Sequence, residues 1–236
     1  MKILSWNVLH RVHAENYGEP SIVRWADETA RVTGIIDLLR ETRCDVALLQ
    51  EVSGDVLAAL RAAFPHVLSH EYPRVPRQKR PAKTIDDTKE HLVVLAPTGS
   101  KVSRAQTFPN DPGKGLLRVE VSPGLFVIST HVSWGPKAAP QWPLLAQALT
   151  DVDGVVCLGG DFNTGGDEVS RALGPEVQRG LVGEGALTTR AGGENIDFLF
   201  VRGASLSEVQ VLPHGDLSDH RPIVTSLELV GARSTT

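Results

Sequence analysis

The chain has 236 residues, of which 41% are hydrophobic and 22% charged, enough to bury a substantial core. Its formal net charge of −4 excludes a protein that coats nucleic acid through bulk positive charge, so any contact with a polyanion must be local. No stretch approaches the ~20 apolar residues of a membrane span and the opening MKILSWNVLHRVH lacks the apolar run of a signal peptide, so a soluble, cytoplasmic protein without a membrane partner is expected; the sequence does not give the oligomeric state, and a monomer is the default expectation.

In chain order, KILSWNVL is a short apolar run suited to a strand. SIVRWADETARVTGIIDLLRET places Ile22, Trp25, Val32, Ile35, Ile36 and Leu39 at helical spacing, with Ser21 in position to cap it. CDVALLQE reads as a second buried strand and GDVLAALRAAF as a short helix. The period then changes: HLVVLAP, KVSRAQTF, KGLLRVEV and GLFVISTHV are β-like, separated by PTGS, NDPG and SPG, and predict an antiparallel meander. A helical PQWPLLAQALTDV leads into the strand GVVCLGGD. A further helix is predicted near GDEVSRALG, and ENIDFLFVRG, SLSEVQVL and RPIVTSLELV close the chain as strands. This mixed order predicts two packed sheets with helices outside. No linker, charge block or repeat divides the chain, so one domain is expected over residues 1–230, with 231–236 as a frayed tail. Cys44 and Cys157 form no CxxC pair and read as buried free thiols.

Polar residues fall at strand ends. Asn7 ends the first strand, Glu51 the second, and His131 follows LFVIST. Asp161 and Asn163 follow VVCLG, Asp197 lies in NIDFLF, and Asp219 and His220 precede the last strand. Each has a bland reading alone: a turn asparagine, a helix-capping glutamate, a structural histidine. Together they are carboxylates, amides and imidazoles without thiolates at positions that α/β folds gather into one site, which suits a hard cation such as Mg²⁺.

SWNVL, LLQEV, STHVSW, GGDFNT, NIDFLFV and LSDHRPI occur in this order across nearly the whole chain. Together they resemble the endonuclease/exonuclease/phosphatase family, the deoxyribonuclease I-like superfamily. The resemblance implies a four-layer α/β sandwich, two packed central β-sheets flanked by helices, with a phosphoesterase site dependent on Mg²⁺ or Mn²⁺ at one edge. It implies Glu51 as the principal metal carboxylate, with Asn7 beside it and Asp219 as a further metal or imidazole partner. Asp161 and Asn163 would orient the attacking water and hold the phosphate, and Asp197 would support a catalytic His220. In the deoxyribonuclease I branch a glutamate orients a second histidine; DTKEHLVVLAP resembles the segment that carries it, making Glu90 the expected partner of His131.

The substrate is less constrained. RVPRQKRPAK carries Arg74, Arg77, Lys79, Arg80 and Lys83 with no acid, a local patch suited to a phosphate backbone, and Arg77, Lys79 and Arg80 are the expected substrate contacts. Arg11, His13 and Tyr17 are candidates for the same rim. The two tryptophans of HVSWGPKAAPQWP either wall a cleft or pack beneath it. The leading expectation is a nuclease cutting DNA or RNA. The alternatives are hydrolysis of a small-molecule, lipid or tyrosyl-DNA phosphoester, and a binding module that has kept the fold without catalysis.

Overall fold

The apolar runs and their turn residues form thirteen strands and six α-helices in the computed structural model, which describes residues 1–79, 84–183 and 186–229. Strand β1 (Lys2–Asn7) leads to helix α1 (Arg11–Tyr17), which begins where the His10 ring accepts the Val12 N–H and stops at the left-handed Gly18. The single helix expected over 21–42 is two, α2 (Pro20–Arg24) and α3 (Glu28–Thr42). Asp27 accepts the N–H groups of Thr29 and Ala30 and so opens a new helix, while Trp25 leaves helical geometry and its indole donates to Gly215 O at 3.0 Å. There follow β2 (Val46–Ser53), α4 (Gly54–Ala63), β3 (Val67–Glu71), β4 (Glu90–Leu95), β5 (Lys101–Phe108), β6 (Asp111–Ser122) and β7 (Leu125–His131). A 3-10 segment (Gly135–Gln141) enters α5 (Trp142–Thr150), then β8 (Val155–Asp161), α6 (Gly166–Leu173), β9 (Gln178–Arg179) and β10 (Asp197–Arg202). SLSEVQVL splits into two short pieces, β11 (Ser205–Leu206) and β12 (Gln210–Val211), before β13 (Ile223–Glu228).

These strands build two sheets. One runs β11-β13-β1-β2-β4-β3, with β12 also on β13; the other runs β5-β6-β7-β8-β10-β9. The expected meander is therefore corrected: β5, β6 and β7 form it, whereas β4 joins the first sheet between β2 and β3. Each sheet holds one parallel pair, β1 with β2 and β7 with β8, and both pairs are joined by helical crossovers, as parallel pairing demands.

Strand alternation explains three cores. Leu48 and Cys157 point between the sheets, with Val94, Leu117, Val127 and Leu199. Their neighbours Ala47 and Leu49 face outward onto Val32, Ile35 and Leu39 of α3 and Leu57 and Leu60 of α4. On the other side Val156 and Leu158 face Leu145 and Leu149 of α5 and Val169 and Leu173 of α6. Helices, sheet, sheet and helices are thus the four layers expected. Gly159 sits where the sheets approach closely, since a Cβ there would lie 2.8 Å from Leu48 Cδ1. At Gly160 it would lie 2.0 Å from Thr130 O in the neighbouring β7. Burial pushes the free thiol of Cys157 up to about 12 and that of Cys44 up to about 11, so both are inert at neutral pH. Among the described residues no helix is long and apolar enough to cross a membrane.

Candidate active site

The C-terminal ends of the two parallel pairs open on the same edge of the sandwich. In the first sheet Asn7 is level with Gln50, placing Glu51 one residue further out. In the second, His131, Asp161 and Asp197 are level on β7, β8 and β10. The register between β2 and β4 shifts between Leu49 and Val52, and Glu51 has φ 57°, a left-handed backbone. Such a bulge takes a side chain out of strict alternation, and holding a glutamate there stores about 1–3 kcal/mol. Asn163 is also left-handed, φ 51°, in an Asx turn in which its N–H donates to Asp161 Oδ1 at 3.0 Å.

Asn7 Nδ2 spans the seam between the sheets, donating to Glu51 Oε1 at 3.1 Å and to Asp161 Oδ2 at 3.0 Å. His10 N–H donates to Glu51 Oε2 at 3.1 Å. His131 Nε2 lies 3.3 Å from Asp161 Oδ2 and 3.8 Å from Glu51 Oε1. Asn163 Nδ2 donates to Val132 O at 2.9 Å and stands 3.3 Å from His131 Nε2. His220 Nδ1 is held by Asp197 at 2.9 and 3.1 Å, leaving Nε2 3.8 Å from Asp161 Oδ2. Burial lowers the His220 pKa, but the Asp197 and Asp161 carboxylates outweigh it and lift it to about 10. Burial likewise opposes ionisation of Glu51 and Asp161. The charges of His13, His131 and Lys114 around Glu51, and of His220 and His131 around Asp161, win and hold both carboxyls below the usual range.

Ligand atoms of Glu51, His131 and Asp161 lie within 4.8 Å of one another, as do those of Asp161, Asp197 and His220. The second set is already committed to the His220–Asp197 hydrogen bonds, so the first is the better cation site. Two ionised carboxylates side by side fit a divalent ion.

Several expectations change in detail. Asn7 presents its N–H group to the carboxylates, because its Oδ1 already accepts Leu9 N–H at 3.0 Å; it orients Glu51 and Asp161. Asp219 lines the cleft, takes Arg190 Nη2 at 3.2 Å and stands 3.9 Å from His220 Nε2, the imidazole side of its two expected places, while Asp161 stands beside Glu51. Glu90 does not meet His131. Since β4 belongs to the first sheet and Glu90 is level with Ser53, its carboxylate meets α1 instead, 3.2 Å from His13 Nε2.

The cleft, about 570 Å³, is also lined by His13, Tyr17, Arg74, Lys114, Trp134, Lys137 and Arg190. His13 and Tyr17 are thus on the rim as conjectured, but Arg11 is buried, bonded to Glu15 at 2.7 Å and Glu28 at 3.3 Å. Of the basic loop, Arg74 reaches the cleft and pairs with Asp111 at 3.1 Å. Arg77 and Lys79 are exposed outside the cleft lining, their backbones tied to Asn16, and Arg80 and Lys83 lie outside the described residues. Trp134 is exposed at the rim and Trp142 is in the core. Sequence spacing does not reveal Lys114, whose Nζ contacts both nitrogens of His131. The only signal for it was hairpin register, since Gly115 is level with His131.

Among solved structures the chain is similar to a humanized D. rerio TDP2, with 18% identity and TM-score 0.70 over 97% of this chain and 98% of that one. It is similar to an endonuclease/exonuclease/phosphatase from Bacteroides vulgatus, with 16% identity and TM-score 0.69 over 97% and 98%. The mannosyl-6-phosphatase of Bacteroides thetaiotaomicron aligns at 14% identity and TM-score 0.69 over 96% and 99%. No curated protein matches the sequence. At these identities the structures speak for the fold alone. The sequence match to the family model runs from residue 4 to residue 220 and takes in every strand-end residue of the cleft: the chain belongs to the Endonuclease/Exonuclease/phosphatase family of phosphoesterases.

Proposed function

We propose that the protein is a divalent-metal-dependent phosphodiesterase that cuts a polynucleotide. The observation that carries this reading is the pairing of an ionised Glu51–Asp161 couple with a charged His220 in a cleft ringed by Arg74, Lys114, Lys137 and Arg190. Hydrolysis loads negative charge onto the phosphoryl oxygens, so the site needs cationic donors, an acceptor for the proton of water and a way to stabilise the leaving oxygen. His220, fixed by Asp197, donates from Nε2 to a phosphoryl oxygen. Asp161 accepts the water proton, and Asn163 and Lys114 hold the remaining phosphoryl oxygens. Glu51, with Asp161 beside it, would hold Mg²⁺ or Mn²⁺, which supplies positive charge next to those oxygens. The likeness to TDP2, one of whose structures is with a single-strand DNA product, supports a nucleic acid substrate.

A second reading, a small phosphomonoester, is favoured by the fold shared with the mannosyl-6-phosphatase and by a cleft of about 570 Å³, the size of a small-ligand site. The test is a panel of plasmid DNA, single-stranded DNA, RNA, a phosphotyrosyl DNA end and a sugar phosphate, each with Mg²⁺, Mn²⁺ or EDTA, with His220→Ala alongside. Metal-dependent cutting of a polynucleotide that disappears in His220→Ala is expected. Lys137→Ala should also reduce the slope of log affinity against log salt by about 1. Turnover of the sugar phosphate with every polynucleotide left intact would replace the first reading by the second.

A further inference from the structure

The histidine that meets Glu90 is not the one expected, and the pair it forms has no role in the chemistry above. Glu90 is fully buried at the start of β4, and in its one side-chain hydrogen bond among the described residues Oε2 accepts from His13 Nε2 at 3.2 Å. Its other oxygen, Oε1, has no partner there. A buried carboxylate served by one imidazole costs more stability than it returns, so the pair is poorly explained as a fold-stabilising contact. His13 is not buried: 22% of its side chain is exposed, and from α1 it lines the same cleft as Glu51 and His220. Its Nδ1 makes no hydrogen bond to any described residue.

The construction repeats that of Asp197 and His220 with the ring reversed. There a buried carboxylate grips Nδ1 and frees Nε2; here it grips Nε2 and frees Nδ1. The helix that carries His13 is itself anchored. Arg11 is buried and bonded to Glu15 and Glu28, Glu28 is bonded to Arg31 at 2.6 Å, and the His10 ring caps the helix start. An imidazole held this firmly at a cleft wall, with one nitrogen bound to a buried carboxylate and the other without a partner among the described residues, is built to deliver a proton.

We propose that His13, oriented by Glu90, is a catalytic residue that protonates the leaving oxygen. This rests on the phosphodiesterase reading of the cleft. The oxygen of water bonds to phosphorus and its proton passes to Asp161. The bond from phosphorus to the leaving oxygen breaks with its electron pair on oxygen, and that oxygen takes the proton from His13 Nδ1. The products are a phosphomonoester and an alcohol, and no further reactant is needed.

A leaving group that needs no proton should make His13 dispensable. The test compares two substrates with the same thymidylyl group: a p-nitrophenyl ester, whose leaving oxygen is stable as an anion, and the thymidine dinucleotide, whose alkoxide is not. In His13→Gln, kcat for the dinucleotide is expected to fall about 10²-fold or more while kcat for the aryl ester stays near wild type. Glu90→Gln should show the same selectivity to a smaller degree, with melting temperatures measured on both variants. Equal loss on the two esters, or loss on neither, would overturn the assignment. A wild-type protein inert toward both would overturn the phosphodiesterase reading, and this inference with it.

Discussion

Glu51→Gln separates the metal site from the fold. The carboxylate accepts Asn7 Nδ2 and His10 N–H, each at 3.1 Å, and is ionised although half-buried. Glutamine is nearly isosteric and inherits the same left-handed backbone, so the strain at φ 57° is unchanged and the comparison isolates one negative charge. In the metal-free protein the variant loses charge-assisted hydrogen bonding but also the repulsion from Asp161. Hydrogen bonds to charged groups contribute about 1.5–3 kcal/mol, and the relief offsets part of that, leaving the variant within about 2 kcal/mol of wild type. The metal-bound protein behaves differently. At one hundred times its dissociation constant a ligand adds about 2.7 kcal/mol. In a chain of this length each kcal/mol moves the melting temperature by about 2–4 °C, so saturating Mg²⁺ or Mn²⁺ should raise wild type by about 5–11 °C. Calorimetry of both proteins with EDTA and across a metal titration checks this. Wild type should climb and Glu51→Gln should stay flat over the same range. An equal climb in the variant would refute the placing of the ion on Glu51, whatever happened to activity.

Three further outcomes test the fold and its charges. In EDTA, stability should decline from neutral pH upward: the folded His220 pKa of about 10 lies above the unfolded value of about 6.5, so its contribution is whole below pH ~6.5 and is lost as pH rises through 10. Urea titrations of His220→Asn should lack that decline, and an unchanged slope would show that another group causes it. Arg43 ends α3 in the left-handed region, φ 48°, so Arg43→Gly should stabilise by roughly 0.5–1 kcal/mol, and a lower melting temperature would count against the strain argument. Gly160→Ala would drive a Cβ to 2.0 Å from Thr130 O and should cost about 1–3 kcal/mol or more; a neutral effect on stability would mean that β7 and β8 can part there freely.

The strand-end residues are legible because each lies at one end of an apolar run of strand period, after it for Asn7, Glu51, His131, Asp161 and Asn163 and before it for Asp197 and His220. Glu51, His131, Asp161, Asn163 and His220 line the cleft at one edge for that reason, and Asn7 and Asp197 stand directly behind them, bonded to Asp161 and His220. What stayed hidden depends on pairing between distant segments. RVHAENY has no apolar helical face; α1 exists because Arg11 finds Glu15 and Glu28 in the interior. VLSHE, half-buried and polar, gives no strand signal until β4 is beside it. Lys114 looked like one residue of a strand until register put it against His131. The pairing of Glu90 turned on which sheet β4 joins, and neither composition nor spacing decides that. The basic loop drew attention by its charge, yet of its described residues only Arg74 lines the cleft, while the rim cations come singly from four separate segments.

The seam between the two sheets has a consequence for how the enzyme can fail. Asn7 reaches across it to Asp161, His220 of the first sheet's last turn reaches across to Asp197, and Gln50 Nε2 donates across it to Ser129 Oγ at 3.1 Å. Neither half of the chain owns a complete set of reacting groups. A molecule whose sheets have slipped by a single residue would keep its secondary structure and most of its buried surface while losing all turnover. Activity is therefore a finer gauge of alignment than any spectroscopic measure of folding, and substitutions deep in the shared core, such as at Leu48 or Cys157, should silence catalysis before they unfold the protein.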